Sequence, residues 1–303
     1  MLRRMKGKIK KMIDILCKDI VGRLKINRIV ETGTDQGETV GEASRWFSEI
    51  DPNFGVVTGT IKTGARSYNS WNEPIAYPVF SGSKAARCQI HSVDIDRHSA
   101  NAAKKNFSSN PNIYLYHSHS EKFLSFLLSP EIEKNHLENN YLFFLDAHWG
   151  KDWPLRDELR VIRKLNKFLV VIDDFLVPGK SDPSFPQGSF GFDFYKGQIL
   201  NWSYIGGVFS SMRVRVFYPK RPNRDKKGWA LIARGYSEHE LKFLESLELF
   251  EMDQFDERHT EPVKPSWRSY LTTRGILKKI VPVSLLRSAH RVYEKAFYRA
   301  GSL

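Results

Sequence analysis

Carboxylates follow two apolar segments in the middle of the chain. The apolar run that begins at Tyr141 ends at Asp146, and the run that begins at Phe168 ends at Asp173 and Asp174. If both runs are parallel strands, the three carboxylates meet at one edge of the sheet, beyond the carboxyl ends of the strands. Carboxylates held that close repel one another unless a hard cation joins them, and such oxygen ligands suit magnesium. The pattern therefore predicts a magnesium site, although Asp173 as a helix cap remains an alternative.

A glycine-containing loop follows the first short apolar segment, with the sequence Glu31-Thr-Gly-Thr-Asp-Gln-Gly-Glu-Thr39. Glycines at positions 33 and 37 let a backbone approach a ligand closely, and Thr32 or Thr34 can donate hydrogen bonds to it. The segment departs from the dinucleotide fingerprint Gly-x-Gly-x-x-Gly. It predicts a ligand-binding loop, and an ordinary glycine-rich turn is the alternative.

An acidic residue at a strand end, followed by two glycines four positions apart, resembles motif I of the class I S-adenosylmethionine-dependent methyltransferases. The resemblance covers roughly residues 25–235, and it is closest to families whose motifs read Glu-Thr-Gly-Thr and Ile-Asp-Asp. In those families the acidic residue meets the methionine moiety and the loop glycines pass close to it. The resemblance thus implies that S-adenosylmethionine is bound by Glu31, Thr32, Gly33, Thr34 and Gly37.

Two further segments in the same order strengthen this resemblance. Asp94 lies near the end of the next predicted strand, where a carboxylate can accept both ribose hydroxyls of the cofactor. The segment Ser118-His119-Ser120-Glu121 resembles the Gly-Asp-Ser segment that contacts adenine in this superfamily, which implies that His119 and Ser120 bind the cofactor. The alternatives are that Asp94 or Asp96 caps the next helix and that Ser120 caps the one after it. Asp146 is also expected to line the cofactor site.

The carboxylate cluster is similar to that of metal-dependent O-methyltransferases, including enzymes that act on sugars and natural products. That resemblance implies that Asp146, Asp173 and Asp174 are metal ligands and that His148 is the general base beside the acceptor hydroxyl. The relatives more often have Asp where His148 stands, yet an imidazole with a pKa of about 6.5 can accept a proton near neutrality. A buried, structural His148 is the alternative.

Helical and strand patterns alternate around these residues. Strands that are apolar on both faces and alternate with helices indicate a parallel sheet covered on both sides. We therefore predict an α/β fold, a doubly wound Rossmann-like methyltransferase sheet that is mostly parallel and has an antiparallel terminal hairpin. The predicted strands are Arg28–Thr32, Gln89–Ile95, Ile113–His117, Tyr141–Asp146, Phe168–Asp173, Arg213–Tyr218 and Trp229–Arg234. The predicted helices are Lys8–Leu24, Gly41–Ile50, Ser99–Asn106, Glu121–Leu128 and Leu155–Leu165.

Three segments follow from this pattern. Residues 1–24 are expected to form a basic amphipathic helix, residues 25–235 the methyltransferase domain, and residues 236–303 a basic helical extension. Within the domain, residues 51–86 show no sustained period and are too long for an ordinary connection, which is typical of a lid over a substrate site.

The charge of the 303-residue chain is concentrated at its ends. The net charge is +13, residues 1–12 carry six Lys or Arg and no acid, and residues 264–303 carry nine against one Glu. A nucleic-acid enzyme usually spreads basic charge over its active-site body, so nucleic acid is not the expected partner. The basic ends predict contact with an anionic partner, such as the inner face of a membrane. Two cysteines and no signal peptide or span predict a cytoplasmic protein.

These features favour methyl transfer from S-adenosylmethionine to a hydroxyl, on a sugar or small metabolite, with Mg²⁺ as a second candidate cofactor. The alternative is a methyltransferase-fold protein used differently, as a hydroxylase-like or non-catalytic component of a membrane-associated glycan assembly system. A nicotinamide-dependent oxidoreductase is disfavoured because the first loop lacks the triple-glycine turn.

Overall fold

The computed structural model describes residues 18–35, 37–55, 60–68, 74–81, 88–129, 139–147, 153–179, 192, 194–195, 198–221, 227–247 and 249–252. The strands are β1 (Arg28–Thr32), β2 (Thr60–Tyr68), β3 (Pro74–Ser81), β4 (Gln89–Asp94), β5 (Ile113–His117), β6 (Tyr141–Leu145), β7 (Phe168–Asp173), β8 (Phe194–Tyr195), β9 (Gln198–Ile199), β10 (Arg215–Pro219), β11 (Trp229–Arg234) and β12 (Leu249–Met252). The helices are α1 (Glu38–Ile50), α2 (Arg97–Phe107), α3 (Ser120–Leu127), α4 (Leu155–Ile162), α5 (Trp202–Ile205) and α6 (Glu238–Leu241), with 3₁₀ turns at Gly206–Phe209 and Lys242–Leu247. Residues 18–23 are also helical.

Eight strands form one sheet in the order β12-β10-β11-β7-β6-β1-β4-β5. β1 pairs in parallel with β4 and with β6, and β4 pairs in parallel with β5. β10 pairs antiparallel with β12. The strands β6 and β7 are buried along almost their whole length, as strands of a covered parallel sheet must be. A mostly parallel sheet with an antiparallel end pair confirms the predicted Rossmann-like methyltransferase fold.

The parallel registers bring the strand ends to one level. Glu31 of β1 lies opposite Ser92 of β4, and the next residue, Thr32, lies opposite both Val93 and Leu145. Because the side chains of a strand alternate between faces, Glu31 and Ser92 point to the same face of the sheet. The loops that follow β1, β4 and β6 therefore start beside one another.

The described residues cluster into two compact units. The first contains the chain up to Val171 together with Ile232–Phe243, and the second contains Ile172–Leu231 together with the chain from Leu244. All the described residues predicted to bind S-adenosylmethionine belong to the first unit, whereas Asp173 and Asp174 belong to the second.

The segment 51–86 contains regular structure, which corrects the prediction that it is irregular. β2 and β3 pair antiparallel as a separate two-stranded ribbon, with a register shift between Thr63 and Arg66. Pro74 and Pro78 are compatible with such a ribbon because each strand has one unpaired edge, and a proline nitrogen that faces this edge removes no ladder hydrogen bond. A lid function for this ribbon stays a prediction.

The sheet also continues beyond residue 235. β12 pairs with β10, so the predicted terminal hairpin is not the end of the sheet. Across this pair the guanidinium Nε of Arg215 donates to Glu251 at 2.6 Å. Among the described residues no helix is both long and apolar enough to cross a bilayer.

Candidate functional site

The loop after β1 is fixed to its two neighbouring strands by backbone contacts. The N–H groups of Gly33 and Thr34 both donate to the carbonyl of Val93, at 2.9 and 3.3 Å, and the N–H of Asp146 donates to the carbonyl of Thr32 at 3.0 Å. Gly33 has a φ of +89°, and a Cβ atom there would lie 2.9 Å from the carbonyl oxygen of Asp146. Gly33 is therefore required by the packing of this loop against the end of β6.

Packing also explains why a glycine stands at position 37. It stands in the left-handed region at φ +83°, at the position before α1, and a Cβ atom there would lie 2.7 Å from the ring of Phe107. Its N–H donates to the carbonyl of Thr34 at 2.8 Å, which closes the turn into the helix. Gly33 thus packs the loop against the end of β6, and Gly37 packs the start of α1 against α2, while their contact with a ligand stays a prediction.

Glu31 is a buried acid near the end of β1, directly before this loop. The residue is 3% exposed, and its carboxylate accepts a hydrogen bond from the Ser92 hydroxyl at 2.5 Å. The Ser92 hydroxyl is in turn 2.6 Å from the Thr34 hydroxyl. Burial raises the pKa of Glu31 to about 7, and the nearby negative charges of Asp94 and Asp35 raise it further against the opposing hydrogen bonds. At neutral pH this site therefore holds a carboxyl group that can exchange its proton.

Asp94 presents its carboxylate at the end of β4. One oxygen accepts the N–H of Asp35 at 2.8 Å, and the other accepts the N–H of Asp96 at 2.7 Å. A carboxylate oxygen has two lone pairs, so each oxygen keeps one for a further donor. Asp94 is half-buried and can thus accept two vicinal hydroxyl groups while the loop holds it in place.

The helix-cap alternative applies to Asp96 and not to Asp94. The Asp96 side chain accepts from the N–H groups of His98 and Ser99, both at 3.2 Å, and so caps α2. These hydrogen bonds to the charged form lower the pKa of Asp96. Asp94 accepts the N–H of this cap residue and does not itself cap the helix.

An exposed apolar side chain stands between these two acids. Ile95 is 56% exposed. Its carbonyl is 3.2 Å from Nε2 of His117, so β5 fixes the backbone here. Ile95 thus offers an apolar surface beside the Asp94 carboxylate, and the sequence analysis did not identify it.

His119 and Ser120 lie at the start of α3. His119 occupies the position before the helix and makes no capping hydrogen bond with its side chain, and Ser120 is the first helical residue. The alternative that Ser120 caps this helix is therefore wrong. Ser120 is 7% exposed, and Ser118 beside it is 1% exposed.

Of the predicted metal ligands, Asp174 has a partner of its own. It is 5% exposed, has a φ of +55°, and its carboxylate forms an ion pair with the ammonium group of Lys227. Among the described residues, no group of three His, Cys, Asp or Glu side chains is placed to hold a metal ion. The ion pair with Lys227 does not suit Asp174 as a magnesium ligand, and magnesium binding by Asp146 and Asp173 stays a prediction. His148, the predicted base, lies outside the described residues.

Ser92 and Lys227 are the polar residues that the sequence analysis missed. Ser92 carries a detectable signal in its position, since it lies two residues before Asp94 and its side chain is therefore on the same face of β4. Lys227 carries no such signal, because it lies among other basic residues and the sequence does not distinguish it from them.

Similarity to known proteins is found among solved structures. No family model and no curated protein sequence matches the chain. Among solved structures it is similar to the O-methyltransferase TomG of Streptomyces achromogenes, solved with S-adenosylmethionine, at 13% identity and a TM-score of 0.41, over 72% of this chain and 78% of that one. It is also similar to a Bacillus cereus O-methyltransferase solved with S-adenosylhomocysteine, at 11% identity and a TM-score of 0.43, over 73% and 79% of the two chains. An Aquifex aeolicus S-adenosylmethionine-dependent methyltransferase is similar at 11% identity and a TM-score of 0.39, over 75% and 96%. The strand order and registers of this chain carry the fold assignment, and this strand order resembles that of the class I methyltransferases.

Proposed function

We propose that this protein transfers a methyl group from S-adenosylmethionine to a hydroxyl group of a sugar or small metabolite. The observation that carries the proposal is the Asp94 carboxylate, held by two backbone N–H groups at a strand end with one lone pair left on each oxygen. That arrangement suits the two adjacent ribose hydroxyls of a nucleoside.

The surroundings of Asp94 agree with the rest of this cofactor. Ile95 offers an apolar surface on which an adenine ring can lie, and His119 and Ser120 follow the next strand of the sheet. On the other side of the loop Glu31 is a buried acid, which suits the ammonium group of the methionine moiety. When bound, S-adenosylmethionine supplies a sulfonium that is chemically ready to release its methyl group. The protein needs only to orient the acceptor and remove a proton from it.

The proton acceptor that we propose is His148, on the strength of its position two residues after Asp146 in the sequence. A neutral imidazole next to the acceptor hydroxyl removes the proton as the methyl group arrives. His148→Ala should lower the methyl-transfer rate by about two to four orders of magnitude, the usual contribution of a general base, with cofactor affinity unchanged. The reaction as proposed has no step that passes through a metal ion.

The experiment is to follow S-adenosylhomocysteine release by mass spectrometry, with hexoses, deoxyhexoses, nucleotide-linked sugars and catechols as acceptors. Product methylated on oxygen, formed in proportion to the S-adenosylhomocysteine released, is the expected result. Firm cofactor binding without methylated product from any hydroxyl acceptor would favour the non-catalytic alternative. Binding of a nicotinamide dinucleotide in place of S-adenosylmethionine would contradict the proposal altogether.

A further inference from the structure

A partly buried ion pair lies next to the end of β7, in the second compact unit. The carboxylate belongs to Asp174, the first residue after the strand, and the ammonium group belongs to Lys227, two residues before β11 begins. The Asp174 side chain is 8% exposed and that of Lys227 is 18% exposed. Surface lysines are rarely that buried, so this side chain is held in place by its surroundings.

The backbone keeps the two partners together. The N–H of Phe175 donates to the carbonyl of Gly228 at 3.0 Å, and these are the residues that directly follow Asp174 and Lys227. Asp174 also stands at a φ of +55°, a conformation that costs free energy in a residue other than glycine and persists when the surroundings require it. The backbone hydrogen bond next to the pair thus holds Asp174 and Lys227 on neighbouring segments.

A carboxylate in this environment needs a positive partner. Removing an ionised carboxylate from water is costly unless a charge of opposite sign or a metal accompanies it. Lysine supplies a compact charge on a flexible stem, and the charge is part of the polypeptide. A divalent cation at the same oxygens would face the positive charge of Lys227, so the two occupants exclude each other.

We propose that the Lys227 ammonium group takes, at Asp174, the place that the metal-dependent O-methyltransferases give to a divalent cation. Lys227 is then a positioning residue that keeps the end of β7 and the start of β11 in register without a metal. The consequence for catalysis rests on the proposed methyl transfer: that reaction proceeds in the absence of divalent cations.

The test uses the full-length protein and Mn²⁺ as the probe, because bound and free Mn²⁺ are distinguished by electron paramagnetic resonance. The wild-type protein should bind no Mn²⁺ at this site, and neither Mg²⁺ nor a chelator should change its Tm. Lys227→Met, which keeps the length of the side chain and removes its charge, should lower the Tm and should gain a Tm increase with Mg²⁺. Lys220→Ala, which removes an exposed lysine from the same unit, is the matched control and should leave both properties unchanged.

Two results would overturn the proposal. One is stoichiometric Mn²⁺ binding by the wild-type protein that is lost in Asp174→Asn. The other is a Lys227→Met protein with the wild-type Tm and no response to Mg²⁺. If Lys227→Met does not fold, the double variant Asp174→Asn with Lys227→Met is the test. It should fold because it removes both charges. A double variant that also fails to fold would contradict the proposal, because Lys227 would then stabilise the protein through something other than its ion pair with Asp174. None of these readouts uses S-adenosylmethionine, so they remain valid even if methyl transfer is not the activity.

Discussion

Replacing Glu31 by Gln should change how the stability of this protein depends on pH. Glu31 is 3% exposed, and burial is the largest cause of the rise in its pKa from 4.5 to about 7. Gln has nearly the same shape, keeps an oxygen that can accept the Ser92 hydroxyl, and cannot ionise. The substitution therefore removes the titration and leaves the packing in place.

The sign and size follow from proton linkage. Between pH 4.5 and 7 the folded protein keeps the Glu31 proton that the unfolded chain releases, so the free energy of unfolding falls as the pH rises. One pKa unit corresponds to about 1.4 kcal/mol, so the shift of this group amounts to about 3 kcal/mol. This contribution is fully present below pH 4.5 and is lost above pH 7. Relative to wild type, Glu31→Gln should thus gain about 3 kcal/mol of stability between pH 4.5 and pH 8.

The assay is urea unfolding of both proteins at several pH values between 4.5 and 8. A constant offset between the two curves reflects the hydrogen bonds of the new amide, so the diagnostic quantity is the change of their difference with pH. Glu245→Gln, which neutralises an exposed acid, is the control and should run parallel to wild type. Wild-type and Glu31→Gln curves that also run parallel would refute the reasoning, because Glu31 would then titrate as it does in the unfolded chain.

Two further predictions concern the first unit, one on the packing of Gly33 and one on the titration of His91. Gly33→Ala places a Cβ atom 2.9 Å from the Asp146 carbonyl at a φ of +89°, so it should lower the free energy of unfolding by about 1–3 kcal/mol, measured by thermal unfolding. The control is Gly22→Ala in the 18–23 helix, where the new Cβ atom meets open space, and it should be neutral or stabilising. A Gly33→Ala protein as stable as wild type would mean that the loop after β1 does not pack as described. Burial lowers the pKa of His91 from 6.5 to about 3. Below pH 6.5 the unfolded chain therefore binds a proton that the folded protein does not bind, and the free energy of unfolding falls as the pH falls. His91→Phe, which preserves the stacking on Tyr114 at 4.7 Å, should remove about 2–3 kcal/mol of that loss between pH 6.5 and 4.5, measured by urea unfolding. An unchanged loss of stability over this pH range would contradict the lowered pKa of His91.

The strands of the sheet could be predicted because they carry a strong local signal. β1, β5, β7 and β11 have the predicted bounds, since apolar residues on both faces of a buried strand leave little freedom in where it starts and ends. α1 begins at Glu38, three residues before its prediction, because the left-handed Gly37 starts the helix and its polar first turn has no apolar periodicity. The β2–β3 ribbon was missed because two prolines look like breakers until one knows that both strands are edges.

The site was predictable only in part. Positions at strand ends follow from topology, so Glu31, Gly33 and Asp94 could be placed together from the sequence. Hydrogen bonds between strands depend on register, and the bond from Ser92 to Glu31 spans 61 residues of sequence, which no local pattern contains. For the same reason the pairing of Asp174 with Lys227 across 53 residues was invisible, and a carboxylate that looked available for a metal has a lysine as its partner.

The central claim is that Asp94 and the loop after β1 hold S-adenosylmethionine, and calorimetric titration of two aspartate variants tests it most directly. Asp94→Ala should weaken the binding of S-adenosylmethionine and S-adenosylhomocysteine by about 1.5–3 kcal/mol, roughly 10- to 150-fold in Kd, because two hydrogen bonds to a charged group are lost. Asp96→Ala removes the cap of α2 two positions further along and should cost helix stability while leaving the Kd unchanged. A folded Asp94→Ala protein with wild-type affinity, or equal losses in both variants, would contradict the account.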